Sequence, residues 1–150
     1  MSIAYIALGS NLGDKEKNLR RAIMLLMQQG IDVEKVSSFI STEPYGVTDQ
    51  PRFLNAVCRV RTLLTPLALL DVLLATELAM GRVRLRHWGE RNIDLDLLLY
   101  EDEVMDVPRL RLPHPDMQNR DFVLLPLAEI APELVHPTLK KSIKELKDNL

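Results

Sequence analysis

The chain has 150 residues, of which 47% are hydrophobic and 27% charged, and its formal net charge at pH 7 is −2. This length predicts a single domain over 1–150 with a full hydrophobic core, and the near-neutral charge excludes a general attraction to nucleic acid or to an anionic membrane. Because Cys58 is the only cysteine and no apolar stretch approaches the roughly 20 residues of a membrane span, we expect a monomeric domain in the reducing cytoplasm.

The first part of the chain predicts a strand, a helix, a second strand and a loop. An apolar run at 3–8 indicates a central strand. Asp14 is typical of a helix N-cap, and apolar residues at helical spacing follow it until Gly30 ends the helix. Segment 31–41 alternates like a strand with one wet face. Segment 42–52, with two prolines and a glycine, predicts a loop long enough to be functional.

The second part repeats the alternation of strand and helix. Segment 53–62 predicts a strand that directs Cys58 into the core. Thr65-Pro66 indicates the start of a helix and Gly81 its end, and the nearly uniform apolar body between them predicts a well-buried helix. A last strand, "DLDLLLY", follows a basic loop.

The order of these elements predicts an α+β fold. Strand, helix, strand, strand, helix, strand is typical of a ferredoxin-like βαββαβ core, an antiparallel sheet with both helices packed on one side. Short helical pieces near 121–130 and a polar C-terminal helix indicate a C-terminal extension to this core.

Two carboxylates interrupt the last strand. Asp94 and Asp96 are two residues apart, so in a strand they share a face and lie about 7 Å apart. We expect Ile93, Leu95, Leu97 and Leu99 on the apolar face and Asn92, Asp94, Asp96, Leu98 and Tyr100 on the other. At an effective dielectric near 20 the two charges repel by on the order of 2 kcal/mol, which favours a cation between them. The alternative is a polar sheet face with two solvated aspartates.

A basic segment directly precedes the pair. Four arginines lie within 82–91, together with His87 and Trp88. Arginine binds phosphate oxygens in a bidentate manner, and Mg²⁺ prefers one or two carboxylates plus substrate phosphates. The combination therefore indicates chemistry on a metal-bound nucleotide, the alternative being a solvated loop. "GSNLGDK" (9–15) lacks the spacing of a P-loop, and no dinucleotide-binding glycine motif is present.

Three further features are candidates for a pocket. "LPHPDMQNRDF" (112–122) contains His114, Arg120 and Phe122, and Glu77 lies on the apolar second helix. Asn55 follows the loop at 42–52 and carries an amide that can pair with the edge of a heterocycle. Each has an alternative explanation: a structural histidine, a surface glutamate and ordinary packing.

Together these segments resemble the 6-hydroxymethyl-7,8-dihydropterin pyrophosphokinase family of folate biosynthesis. The resemblance runs through "YIALGSNLGD", "STEPYG", "DQPRFLNAV", "ELAMGRVR", "RHWGERNIDLDLLLY", "LPHPDMQNRDFVLLPLAEIAPE" and the "HP" at 136–137. The block 89–99 combined with "PHPDMQNR" is its most specific part. The resemblance implies a ferredoxin-like fold and the use of ATP with two magnesium ions. It also implies transfer of the β,γ-pyrophosphate to the pterin's hydroxymethyl oxygen, with release of AMP.

The resemblance also implies roles for individual residues. Asp94 and Asp96 would hold both metal ions, Arg82 and Arg91 would neutralise charge on the moving phosphoryl groups, and Asp96 is a further candidate for accepting the hydroxyl proton. The residues implied for ATP are Glu77, Arg82, Arg84, Arg91, Leu97, Arg109, His114 and Arg120. The residues implied for the pterin are Thr42, Pro44, Tyr45, Gly46, Phe53, Asn55, Trp88 and Phe122. The loops 42–52 and 82–91 would close over the substrates.

The chain departs from the family's pattern in a few places. Leu74 stands where some members have a polar residue, Arg111 where some have a small hydroxyl residue, and Phe53 where tyrosine is common. The segment between Arg84 and Trp88 is one residue shorter than in the best-known members. These departures bear on ATP affinity and loop closure.

Three other classes of protein stay open at this point. One is an RNA-binding or ligand-sensing module of the same fold, although aromatic residues make up only 5% of the chain. The second is an inactive homologue that binds a partner. The third is another ATP-dependent transferase acting on a related alcohol, which the nucleotide product, AMP or ADP, would distinguish.

Overall fold

A five-stranded antiparallel sheet lies at the centre of the fold in the computed structural model, which describes residues 1–44, 49–81 and 92–150. The strand bounds are β1 Ser2–Ser10, β2 Asp32–Val36, β3 Ile40–Thr42, β4 Phe53–Thr62 and β5 Asp94–Tyr100. The strands follow the order β2-β4-β1-β5, and the short β3 pairs with β4 beyond the end of β2. An antiparallel sheet with helices confirms the predicted class of fold.

Two helices begin and end where the sequence predicted. Asp14 caps α1, Lys15–Gln28, by accepting from the backbone N–H of Lys17, and Gly30 follows with φ 84°. Thr65 caps α2, Pro66–Ala79, by accepting from Ala68 N–H. Caps of this kind satisfy backbone groups that a helix end leaves unpaired.

Helices α1 and α2 cover one face of the sheet. Alternate residues of β1 and β4, including Ile6 and Cys58, pack with Leu19 and Leu26 of α1 and with Leu69 of α2. Period-two alternation directs these side chains to a common side. The predicted burial of Cys58 is confirmed, because its side chain is 0% exposed.

The C-terminal extension covers the other face. It comprises a hairpin of β6 (Met105–Val107) and β7 (Leu110–Leu112), a 3-10 turn at Met117–Asn119, α3 (Asp121–Ile130) and α4 (Ile143–Asp148). Leu124 and Leu127 of α3 pack with Tyr5 and Val57 of the sheet. The sheet therefore lies between two helical layers, and the predicted helix over 121–130 is confirmed.

Segment 31–41 is interrupted, whereas the sequence predicted one strand. β2 and β3 are separated at Ser37, whose N–H donates to Val57 O while its hydroxyl accepts from Val57 N–H. A serine side chain thus replaces a backbone group in the ladder, which is how hydroxyl residues compete with regular pairing.

The end of β5 corrects the predicted faces. The register with β1 shifts between Tyr5 and Ile6, so Tyr5 lies opposite Leu99 and Ile6 opposite Leu97. Leu98 is the extra residue of this bulge, and beyond it the alternation is inverted. The prediction for Leu99 and Tyr100 was therefore wrong: Leu99 packs on the α3 side and Tyr100 on the α1–α2 side.

Helix α2 is less buried than its composition predicted. Its buried residues are Leu69, Leu73, Thr76 and Glu77, whereas Leu74 is 44% and Leu78 78% exposed. A helix on one sheet face has only one side to bury, whatever the composition of the other.

Within the described ranges, no helix is long and apolar enough to cross a membrane.

Candidate active site

Three neighbouring strands bring polar groups to one end of the sheet, on the α3 side. Gly9 of β1 lies between Asn55 of β4 and Asp94 of β5, in register with both. Asp96 lies opposite Ala7, one pleat further along β1. All five residues face away from α1 and α2, because their neighbours in sequence point into that core. The structure thus brings the predicted carboxylates and the predicted amide onto a common surface.

Asn55 is held in a fixed orientation. Its Nδ2 donates to Thr42 Oγ1 at 2.5 Å, across the pairing of β3 with β4. Asn55 is 7% and Thr42 8% exposed, and Pro44 is also buried. Phe53 lies on the same strand and face as Asn55. These four predicted residues therefore form one wall of the candidate site, at the start of β4.

The C-terminal extension supplies a second wall next to the carboxylates. His114 N–H donates to Leu98 O, which attaches the segment before α3 to the edge of β5. Arg120 pairs with Asp116 at 3.3 Å, and its guanidinium carbon lies 5.6 Å from the centre of the Phe122 ring. This is cation–π geometry, which orients both side chains.

The surroundings of His114 keep its imidazole neutral. Burial and, to a smaller extent, the positive charge of Arg120 lower the pKa of His114 from 6.5 to about 4, although the charges of Asp116 and Asp94 oppose this shift. The contribution of Asp94 shows that the histidine lies within electrostatic range of the carboxylate pair. A neutral imidazole next to these groups is suited to hydrogen bonding and not to a permanent charge–charge contact.

Glu77 links α2 to the strand that carries the aspartates. Its Oε2 accepts from the backbone N–H of Leu95 at 2.8 Å, and the residue is only 5% exposed. The Asn92 side chain donates to Met80 O, which holds the residues before β5 against the end of α2. The sequence alone also allowed Glu77 to be a surface glutamate, and that alternative is wrong.

Sequence reasoning missed a set of buried amides that hold the loop between β3 and β4. Asn11 Nδ2 donates to Gln50 Oε1 at 2.8 Å and to Pro51 O at 3.0 Å. The half-buried Asn18 holds the neighbouring turn between β1 and α1, where its Nδ2 donates to Ser10 Oγ and to Leu12 O. The available signal was Asn11 directly after the first predicted strand, because a buried amide is paired as a rule.

Two residues predicted for ATP binding lie apart from the carboxylate face. Leu97 is 3% exposed and packs in the α1–α2 core. Arg109, between β6 and β7, forms an ion pair with Asp71 of α2. Six predicted residues lie outside the described residues: Tyr45, Gly46, Arg82, Arg84, Trp88 and Arg91. Of the two predicted closing loops, 42–52 is described except for 45–48, and 82–91 lies entirely outside the described residues.

The donor set at β5 fits a hard divalent cation that keeps other ligands. Asp94 and Asp96 are two half-buried carboxylates on one face of β5, opposite Gly9 and Ala7. Mg²⁺ prefers one or two carboxylates of this kind together with water and phosphate oxygens. Across the described segments there is no group of three or more histidine, cysteine or acidic side chains that would enclose a metal fully. The arrangement therefore matches Mg²⁺ brought by a polyphosphate better than a closed structural metal site.

The fold defines the class of protein as a mixed α/β domain, in which helices pack on an antiparallel sheet that carries polar side chains at one end. The model of the family described as "7,8-dihydro-6-hydroxymethylpterin-pyrophosphokinase (HPPK)" matches residues 5–132, and the chain belongs to that family.

Relatives support the same assignment over the full chain. A 2-amino-4-hydroxy-6-hydroxymethyldihydropteridine pyrophosphokinase of Haemophilus influenzae is 46% identical over 99% of this chain and 96% of its own length. One from Methylorubrum extorquens is 51% identical over 90% and 86%. The Folic acid synthesis protein fol1 of Schizosaccharomyces pombe is 43% identical, but this chain spans only 20% of it.

Solved structures support the fold. The Plasmodium falciparum HPPK-DHPS wild type with pteroate superimposes with a TM-score of 0.81 over 99% of this chain, at 16% identity. This chain spans 42% of that longer protein.

Proposed function

We propose that the polar end of the sheet is where this chain transfers pyrophosphate from ATP to the hydroxymethyl group of 6-hydroxymethyl-7,8-dihydropterin, releasing AMP. The reaction follows from membership of the family, whose members carry out pyrophosphoryl transfer to hydroxymethyldihydropterin in folate biosynthesis. What we add is the assignment of its parts to the residues of this chain.

The row Asn55–Gly9–Asp94 carries the proposal. Adjacent strands lie about 4.8 Å apart, so the amide and the first carboxylate are separated by about 10 Å, with only a glycine between them. An acceptor that pairs with Asn55 and lies across Gly9 brings its far end to the carboxylate pair. The residue proposed to recognise the acceptor and the residues proposed to hold the metal ions thus lie in one row across the sheet.

The pterin site is assigned to the wall at the start of β4 and to the start of α3. Asn55 offers both a donor and an acceptor to the edge of a heterocycle, and its bond to Thr42 fixes which way the amide faces. Phe53 and Phe122 supply aromatic surface for the ring. Pro44 lines the same wall, and Tyr45, Gly46 and Trp88 stay predictions.

The carboxylate pair is assigned to metal and polyphosphate. Asp94 and Asp96 would hold two Mg²⁺ ions, which supply positive charge to the oxygens of the triphosphate. Arg120 and neutral His114 provide donors on the adjacent wall. Four further arginines stay predictions for the same substrate: Arg82, Arg84, Arg91 and Arg109. The Leu97 side chain is buried in the core, so Leu97 could contact the substrate only through its backbone.

The protein's contribution to the reaction is mainly positioning. Glu77 holds the start of β5 through Leu95 N–H, so the two carboxylates project from an anchored strand. The two walls set the acceptor and the polyphosphate against each other, which reduces the entropy cost of bringing them into line. Fixed donors around the transferring group then stabilise its charge.

The finer features of the fold belong to the same proposal. The strand order β2-β4-β1-β5, with β2 and β3 taken as one interrupted strand, supports a ferredoxin-like core. The two hydrophobic cores share one sheet, which supports a single domain over 1–150. The monomeric state and the cytoplasmic location stay predictions.

The test is to identify the nucleotide product. Wild-type protein is incubated with ATP, Mg²⁺ and the pterin, next to Asp96→Asn and the control Asp148→Asn, an exposed aspartate at the end of α4 that pairs with Lys147. We expect pterin-dependent AMP from the wild type and the control, and a loss of about a hundredfold or more in Asp96→Asn, as for removal of a group that stabilises transition-state charge. ADP in place of AMP, or full activity of Asp96→Asn, would overturn the proposal.

A further inference from the structure

Gly9 occupies the one position between the amide and the carboxylates where a side chain would interfere. A Cβ atom built on Gly9 would lie 2.9 Å from Asn55 Oδ1, closer than real Cβ contacts, and at 3.7 Å from Cδ1 of Phe53, an ordinary contact. Asn55 is therefore the only one of these two neighbours that has to move.

The backbone does not require a glycine here. Gly13, Gly30 and Gly81 have positive φ angles, the region that favours glycine, and Gly9 is not among them. Gly9 lies within β1 in regular register with Asn55 on one side and Asp94 on the other. A β-strand ordinarily disfavours glycine, so its presence here points to a close approach by another group.

Asn55 has no room to move away without losing its orientation. Its Nδ2 is bonded to Thr42 Oγ1 at 2.5 Å and the residue is 7% exposed. An asparagine side chain has only two rotatable bonds, so moving Oδ1 away from a new Cβ also turns Nδ2 away from Thr42. The edge that Asn55 presents to a ligand would change with it.

We propose that Gly9 is a positioning and specificity-determining residue for the acceptor. Because Gly9 has no side chain, Asn55 Oδ1 can stay where its bond to Thr42 requires, and the amide presents a fixed donor–acceptor edge to the heterocycle. This inference rests on the proposed assignment of the pterin to Asn55.

The experiment compares Gly9→Ala, Asn55→Ala and the double variant. For each we measure the KM for the pterin, kcat, and the Kd of a non-hydrolysable ATP analogue with Mg²⁺, with thermal unfolding as a check on folding. We expect Gly9→Ala to raise the pterin KM about tenfold, the scale of one lost hydrogen bond, and to leave the nucleotide Kd unchanged. In the Asn55→Ala background, where the collision is absent, Gly9→Ala should add less than a twofold change.

The outcomes separate this inference from the proposed function. A wild-type pterin KM in Gly9→Ala, an equal loss of nucleotide affinity, or effects that multiply in the double variant would overturn the role of Gly9 alone. A wild-type pterin KM in Asn55→Ala would instead overturn the assignment of the pterin site, and this inference with it. If Gly9→Ala does not fold, recovery of folding in the double variant supports the collision, and failure to recover overturns it.

Discussion

Glu77 and Leu95 join the second helix to the strand that carries the acidic pair. The carboxylate of Glu77, near the end of α2, accepts from the backbone N–H of Leu95 at 2.8 Å. Leu95 lies between Asp94 and Asp96, and β5 is the last strand on its side of the described sheet. The N–H groups on that side lack a neighbouring strand, so a buried carboxylate takes the place of a backbone partner.

Glu77→Ala should therefore affect both stability and nucleotide use. Removing the acceptor leaves a buried N–H unpaired, and we expect a loss of about 1–3 kcal/mol in the free energy of unfolding by urea. We also expect a higher KM for ATP, because the anchoring of β5 is lost. Glu77→Gln keeps an acceptor oxygen and should recover most of the stability. Equal stability losses in the two variants would contradict the role of this hydrogen bond.

The bonds from Asn11 to Gln50 and Pro51 predict a second effect, confined to the acceptor. Asn11→Ala removes both bonds that hold the stem of the loop leading into Phe53 and Asn55. We expect the pterin KM to rise several-fold while the Kd of an ATP analogue stays unchanged, since β5 is untouched. Asn149→Ala, at the exposed C-terminal end of α4, is the matched control. A parallel loss of nucleotide affinity in Asn11→Ala would argue against this separation.

The starts of the two helices that pack on the sheet could be predicted from local sequence. The cap at Asp14 and the Thr65-Pro66 start could be predicted because each depends on residues within one helical turn. The bulge at Leu98 could not, because a run of leucines does not show which residue is the extra one. Only the pairing of Tyr5 with Leu99 determines it. The exposure of Leu78 likewise depends on where α2 lies and not on its composition.

In the candidate site, too, local sequence predicted some features, whereas others depend on residues that are distant in the chain. Asp94 and Asp96 stood out because carboxylates are costly in an apolar strand, and their spacing alone placed them on a common face. The partnership of Asn11 with Gln50 could not be predicted, because the two residues are 39 positions apart and each resembles an ordinary loop amide. The restriction at Gly9 also depends on a neighbouring strand, from which Asn55 approaches it.

Cys58 is predicted to be chemically inert in the native protein. Its side chain is 0% exposed, and burial raises the pKa of the thiol to about 12, so almost no thiolate is present at neutral pH. A thiol reagent such as dithionitrobenzoate should therefore react with the unfolded chain in urea but only at the rate of global unfolding in buffer. Rapid labelling in buffer would contradict the described packing. Cys58→Ser should cost more stability than Cys58→Ala, because it buries a new hydroxyl.

His114 predicts a pH dependence of stability in the metal-free protein. Burial, followed by the charge of Arg120, lowers the pKa of native His114 to about 4 from an ordinary value of 6.5. Between these two values the unfolded chain binds a proton that the native state does not. His114 therefore has no effect on the pH dependence of stability above pH 6.5, and it destabilises the native state progressively as the pH falls from 6.5 to about 4. The pKa of His136 is also lowered by burial, so it acts in the same direction.

The measurement is the free energy of unfolding by urea from pH 4 to 7, in EDTA, for the wild type, His114→Asn and His136→Asn. Each histidine contributes a slope of at most about 1.4 kcal/mol per pH unit, and protonation of carboxylates adds to both wild type and variants. Above pH 6.5 we expect a constant difference in the free energy of unfolding between His114→Asn and the wild type. As the pH falls below 6.5, the wild type should lose more stability than the variant. The Asn side chain can still accept from Asp116 N–H, as His114 Nδ1 does at 3.4 Å, which keeps the local turn. Parallel curves for His114→Asn and the wild type would mean that native His114 titrates like an exposed histidine, and that its burial next to Asp94 and Arg120 is not maintained in solution.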